Sequence, residues 1–107
     1  MKMNPLILVA VLAAVGYGDA AASSNVVTVD ISNFTFKPGD LKIKVGTKVI
    51  FKNDDDIPHR VAATDGSFYS KALDTDDLAS VTFNKPGVFP YFCTLHPRMQ
   101  GKIIVTP

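Results

Sequence analysis

The chain has no tryptophan, no glutamate, one cysteine and only two histidines among its 107 residues. A lone cysteine excludes an internal disulfide, so a stable fold has to rest on buried apolar surface. The formal net charge is +1, and the basic excess expected of a nucleic-acid-binding domain is missing. The only sustained apolar run, Leu6 to Gly16, is shorter than the ~18 residues a membrane helix needs. What remains in quantity is Val, Ile, Thr, Phe and Tyr between Pro, Gly, Asn and Asp, a composition of strands and turns.

The apolar run follows Lys2 and precedes Ala20-Ala21-Ala22, the arrangement of a secretory signal with a small-residue cleavage site. Residues 1–22 are expected to be removed on export to the periplasm, leaving residues 23–107 as one domain without stable membrane insertion. Loss of Lys2 and Asp19 leaves the net charge unchanged. A domain of that size can bury a small but genuine core.

From Val26 onward, short alternating runs separated by turn residues predict an all-β sandwich of about seven to eight strands. Val27, Val29 and Ile31 alternate with Thr28, Asp30 and Ser32, and Phe34 and Phe36 are expected to continue the inward set. Leu41, Ile43 and Val45 point one way, with Lys42 and Lys44 the other. Val49-Ile50-Phe51 is expected to be covered on both faces, and Asn53 to Asp56 to form an exposed loop. Residues 64–79 are the least regular part and have room for a turn of helix or an edge segment. Ser80–Asn84 reads as a strand with Val81 and Phe83 inward, and Val88–Cys93 as one with Phe89, Tyr91 and Cys93 on a single face. A loop through His96 to Met99 is expected before a last strand at Gly101–Thr106.

Cys93 opens the run Cys93-Thr94-Leu95-His96-Pro97-Arg98-Met99, and His59 lies far upstream after Pro58. Each residue has a plain reading: a buried small hydrophobe or intermolecular linker for Cys93, a satisfied loop histidine for His59, a turn at His96-Pro97, a core methionine for Met99. Those readings do not account for C-x-x-H-x-x-M between two strands together with an upstream Pro-His. One thiolate, two imidazoles and a thioether form the donor set of a blue-copper centre. The expected metal ligands are therefore His59, Cys93, His96 and Met99, holding one copper ion that cycles between Cu(I) and Cu(II). A thiol protease would leave Met99 without a role, haem attachment needs C-x-x-C-H, and structural zinc usually takes Cys or His without Met.

At these residues the chain resembles the cupredoxins, type 1 blue copper proteins, and within them the amicyanin-like group of the plastocyanin/azurin family. The resemblance covers essentially the whole mature chain. It rests on Phe34–Gly39, Pro58-His59, Ser67-Phe68-Tyr69-Ser70 and above all the stretch from Gly87 through Cys93 and Met99 to Gly101. The two-residue gap between His96 and Met99, with Pro97 after the ligand, is the amicyanin-like form. The resemblance implies a Greek-key β-sandwich and a non-enzymatic, monomeric one-electron carrier. It also implies transient protein redox partners, a donor dehydrogenase or cytochrome and an acceptor cytochrome or oxidase. A periplasmic copper carrier that delivers the ion itself is the alternative. Where many members have Asn after the first ligand His, this chain has Arg60; its backbone N–H is expected to reach the Cys93 sulfur, while Thr94 loses the Asn side chain as a partner. His96 is the expected electron port, ringed by Leu95, Pro97, Ile57 and Pro58, with Arg60, Arg98 and the Asp54–Asp56 run available for steering.

Overall fold

Eight β-strands account for nearly all the regular structure in the computed structural model, which describes residues 25–107. The expected signal sequence lies outside the described residues. In chain order the strands are β1 Val26–Ser32, β2 Thr35–Lys37, β3 Asp40–Lys44, β4 Thr47–Asn53, β5 Val61–Ala63, β6 Leu78–Phe83, β7 Gly87–Cys93 and β8 His96–Thr106. They form two four-stranded sheets, ordered β2-β1-β4-β6 and β3-β8-β7-β5. Parallel pairs, β1 with β4 and β3 with β8, lie among antiparallel ones. Parallel neighbours require the chain to cross between sheets, and this is the all-β sandwich that the patterning predicts.

Period-2 alternation sets which side chains meet between the sheets. Val29 and Ile31 of β1 and Val49 and Phe51 of β4 face Ile103 and Val105 of β8 across the core, all fully or almost fully buried. Tyr91 of β7 sits at the middle, with ring centroids 4.8 Å from Phe36 and 5.2 Å from Phe51, both near edge-on. Burial of each such side chain contributes roughly 1.5–3 kcal/mol, which is how the domain holds together without a disulfide.

Several expectations need correction. Phe34 is not in the core: it is 52% exposed. Asn33 and Phe34 both have left-handed backbone, φ 54° and 57°, so the chain reverses between β1 and β2 and Phe34 leaves the inward register that Phe36 keeps. Val45, just past β3, is also exposed, and Ile50 is only half covered, because the outer face of the central strand β4 carries no second layer. Asn53 is not part of an exposed loop; it ends β4 fully buried. Among the described residues there is no helix in 64–79, and β6 begins at Leu78. The last strand begins at His96 rather than Gly101, so only Thr94 and Leu95 form the turn. Pro97 is tolerated there because β3 pairs with β8 only from Lys102 onward, which leaves the earlier edge free.

Candidate metal centre

Three chain segments converge at one end of the sandwich. His59 leads into β5, where its N–H and C=O both pair with Leu73, at 3.0 and 2.7 Å. Cys93 ends β7, paired with Val61 on one side and His96 on the other, with a register irregularity between Phe92 and Cys93. The tight β7–β8 turn therefore brings His96 back beside the thiol. One potential ligand atom from each of His59, Cys93 and His96 lies within 4.8 Å of the other two. His59 and Cys93 are fully buried, and His96 is half-buried.

The orientation of the rings is as informative as their proximity. Cys93 Sγ lies 3.6 Å from His59 Nδ1 and 3.8 Å from His96 Nδ1, so both imidazoles turn the same nitrogen towards the sulfur. The other nitrogen of His59, Nε2, donates to Asp55 Oδ2 at 2.8 Å. An ionised carboxylate only accepts, which puts a proton on Nε2 and turns Nδ1 to the thiol side. Burial pushes the Asp55 carboxyl up, but the Phe34 amide, His59 and the Asn33 amide together hold it below the usual carboxylate range. A carboxylate behind a ligating histidine fixes both tautomer and ring direction.

The sulfur has its own partner. The Arg60 N–H donates to Cys93 Sγ at 3.4 Å, and the Arg60 C=O accepts the Thr94 N–H at 3.0 Å. The expected backbone reach of Arg60 to the Cys93 sulfur is present, and the Thr94 N–H is taken up by the main chain. Met99 stands three residues beyond His96 on β8, buried, and lines the same surface hollow as His96, Leu95, Pro97, Arg98 and Phe34.

Asp55 and Phe34 were not legible as parts of this end of the molecule. Asp55 lies inside an acidic run that reads as a solvated loop. Its spacing of four from His59 and the Asn53 side chain two residues before it are the only local signals. Asn53 Oδ1 accepts the Asp55 N–H at 2.9 Å, and Asn53 Nδ2 donates to Ile57 O and Leu73 O, each at 2.8 Å. This side chain shapes the loop that carries Asp55 and His59. The Phe34 ring meets His59 and His96 edge-on, with centroids 5.6 and 5.1 Å away.

One thiol with an N–H aimed at its sulfur, two imidazoles presenting equivalent nitrogens and an adjoining buried methionine suit copper in both oxidation states. Sulfur favours Cu(I), and imidazole accommodates either. A description of cupredoxin-like domains matches residues 5–105. Amicyanin of Paracoccus versutus is 34% identical over 91 residues, covering 80% of this chain and 69% of that protein. Plastocyanin of Solanum tuberosum is 30% identical over 91 residues, covering 71% of this chain and 92% of that protein. A purple cupredoxin from Nitrosopumilus maritimus superposes with a TM-score of 0.70 at 31% identity, over 75% of this chain and 99% of that one. With its fold, its donor set and these relatives in agreement, the chain belongs to the cupredoxin-like family, whose cofactor is copper.

Proposed function

We propose that this protein is a soluble one-electron carrier in which His59 Nδ1, Cys93 Sγ, His96 Nδ1 and the Met99 thioether would hold a single copper ion. The observation that carries the reading is that both histidines turn Nδ1 towards one buried sulfur while separate hydrogen bonds fix two of the three donors. Copper, when bound, supplies reversible one-electron chemistry; the chain supplies the rigidity that keeps reorganisation small. Asp55 keeps the His59 ring from turning, and the Arg60 N–H stabilises the thiolate form of Cys93. His96, half-buried, shows one ring edge to the surface between exposed Leu95 and Pro97, where a protein partner can approach closely. Four protein donors leave no open position for a substrate, which supports a carrier rather than a catalyst. Residues 1–22 act as the export signal in this reading, residues 23–107 are the mature domain, and the compartment is the periplasm. A single thiol committed to the metal suits an oxidising space.

The test is addition of one equivalent of Cu(II) to the purified mature protein. An intense visible thiolate-to-copper band is expected in the wild type and none in Cys93→Ala; a band that persists without Cys93 removes the assignment. Repeated oxidation and reduction with the copper retained distinguishes an electron carrier from a carrier of the ion. Ready transfer of Cu(I) to a copper-free acceptor would favour delivery instead, which a fully buried and clamped His59 opposes.

A further inference from the structure

The turn between β1 and β2 contains an unusual residue for its backbone. Two consecutive left-handed positions are readily taken by Gly, Asn or Asp, yet the second is Phe34. The aromatic is half exposed, so core packing does not explain it. Its backbone is held from outside the hairpin: Asp55 Oδ1 accepts the Asn33 N–H at 2.7 Å, and Oδ2 accepts the Phe34 N–H at 3.0 Å. The same Oδ2 takes the His59 Nε2–H. Asp55 is itself pinned, its N–H given to Asn53 and its C=O accepting the Thr75 hydroxyl at 2.6 Å. One carboxylate thus ties a ligand ring to the backbone of an aromatic residue, and that ring lies edge-on to both imidazoles at interplanar angles of 88° and 84°.

We propose that Phe34 is a fixed aromatic cover over the two imidazoles, with Asp55 as its positioning residue, so that the β1–β2 turn governs access of water and small ligands to the centre. The proposal takes the identity of what is covered from the copper reading, but the cover itself is a matter of geometry and can be tested without metal. A strained backbone position persists where the surrounding structure over-determines it and often marks a functional device. Here the over-determination comes from Asp55 and the return is placement of the ring. A glycine would make the turn with less strain and leave the imidazole edges open to solvent. Phe34 also forms a wall of the hollow shared with His96 and Met99, so its removal widens the approach to both.

The experiment compares wild type, Phe34→Gly, Phe34→Asn and Asp55→Asn, the second variant serving because Asn also accepts left-handed backbone. In the metal-free proteins, diethyl pyrocarbonate modification is followed by mass spectrometry at each histidine. Both Phe34 variants should raise the reactivity of His96 several-fold while keeping the wild-type circular dichroism. In the copper-loaded proteins, azide should perturb the visible band at lower concentration in the Phe34 variants. Asp55→Asn should show the same sensitivity together with an altered electron paramagnetic resonance spectrum, which a purely structural loss elsewhere would not produce. Equal histidine reactivity in wild type and a folded Phe34 variant overturns the cover. Absence of any copper colour in wild type overturns the copper reading instead, and the metal-free comparison still decides the proposal.

Discussion

Arg60 works in two directions. Its main chain bridges the ligand segments, donating to Cys93 Sγ and accepting from Thr94, while its side chain points away to the 69–70 stretch. There Nε donates to the Ser70 carbonyl at 2.7 Å, and the guanidinium lies 5.3 Å from the centroid of the exposed Tyr69 ring. Ser70 Oγ in turn accepts the Val61 N–H at 3.0 Å, fastening the start of β5. Replacing Arg60 by Ala keeps both backbone bonds and removes one charge-assisted hydrogen bond and one cation–π contact, a loss of about 1–3 kcal/mol in denaturant unfolding. The copper band should be unchanged in position; a shifted band would show that the guanidinium acts on the thiolate. The identity of Arg60 was plain in the sequence as a departure, but the direction of its side chain was not, because Ser70 and Tyr69 reach it only through the β5 bridge pairing. Asp55 was hidden for the same reason: its partners Asn33 and Phe34 lie more than 20 residues away.

At the level of elements, alternation identified most inward faces correctly, since it depends only on the pleat. It failed where the backbone stops being extended. Phe34 stands two residues from Phe36 but three from Ile31, and at the left-handed turn it falls outside the inward set; Asn53 keeps the inward register of β4, so there polarity, not alternation, misled. The β7–β8 hairpin is the clearest case of a boundary set by pairing rather than composition. Tyr91 pairs with Gly101 across it, and a Cβ on Gly101 would stand 2.5 Å from Tyr91 Oη, 2.6 Å from Cζ and 2.9 Å from the Gly39 carbonyl oxygen. Two of those neighbours are not flexible ends: a ring carbon wedged against Phe36 and Phe51, and a backbone oxygen. Gly101→Ala should therefore destabilise by about 1–3 kcal/mol, the range for overpacking a core, read as a lower midpoint in denaturant. Tyr91→Phe in the same chain should recover only part of this loss, because Cζ stays in place. Full recovery would place the clash on the hydroxyl alone. That hydroxyl is buried without a hydrogen-bond partner among the described residues, and burial pushes its ionisation up.

On the scale of the whole molecule, the sandwich gathers its chemistry at one end. The β1–β2 turn comes from the first sheet, the β7–β8 turn from the second, and the segment carrying Asp55 and His59 crosses between them, so the centre is braced by both layers. The opposite end is a different surface, with Lys42, Lys44 and Thr47 around a hollow far from any of the proposed donors. Around His96 three exposed side chains are apolar, Leu95 (50% exposed), Phe34 (52%) and Pro97, with the exposed Arg98 next to them as the one charge on this rim. A mostly apolar rim around the half-buried His96, the proposed ligand, lets a second protein approach with little charge to desolvate. Electron self-exchange between oxidised and reduced copies tests this with no assumption about the natural partner, because two such ends must meet. Leu95→Asp places like charges face to face at that contact, and repulsion of this kind slows encounter most at low salt. The self-exchange rate from nuclear magnetic resonance line widths should fall by about tenfold or more, equivalent to ~1.4 kcal/mol in the barrier. Added salt should restore part of it, and the visible copper spectrum should not change. If the rate is unaffected while the spectrum is intact, electrons leave this protein by some route other than the His96 end.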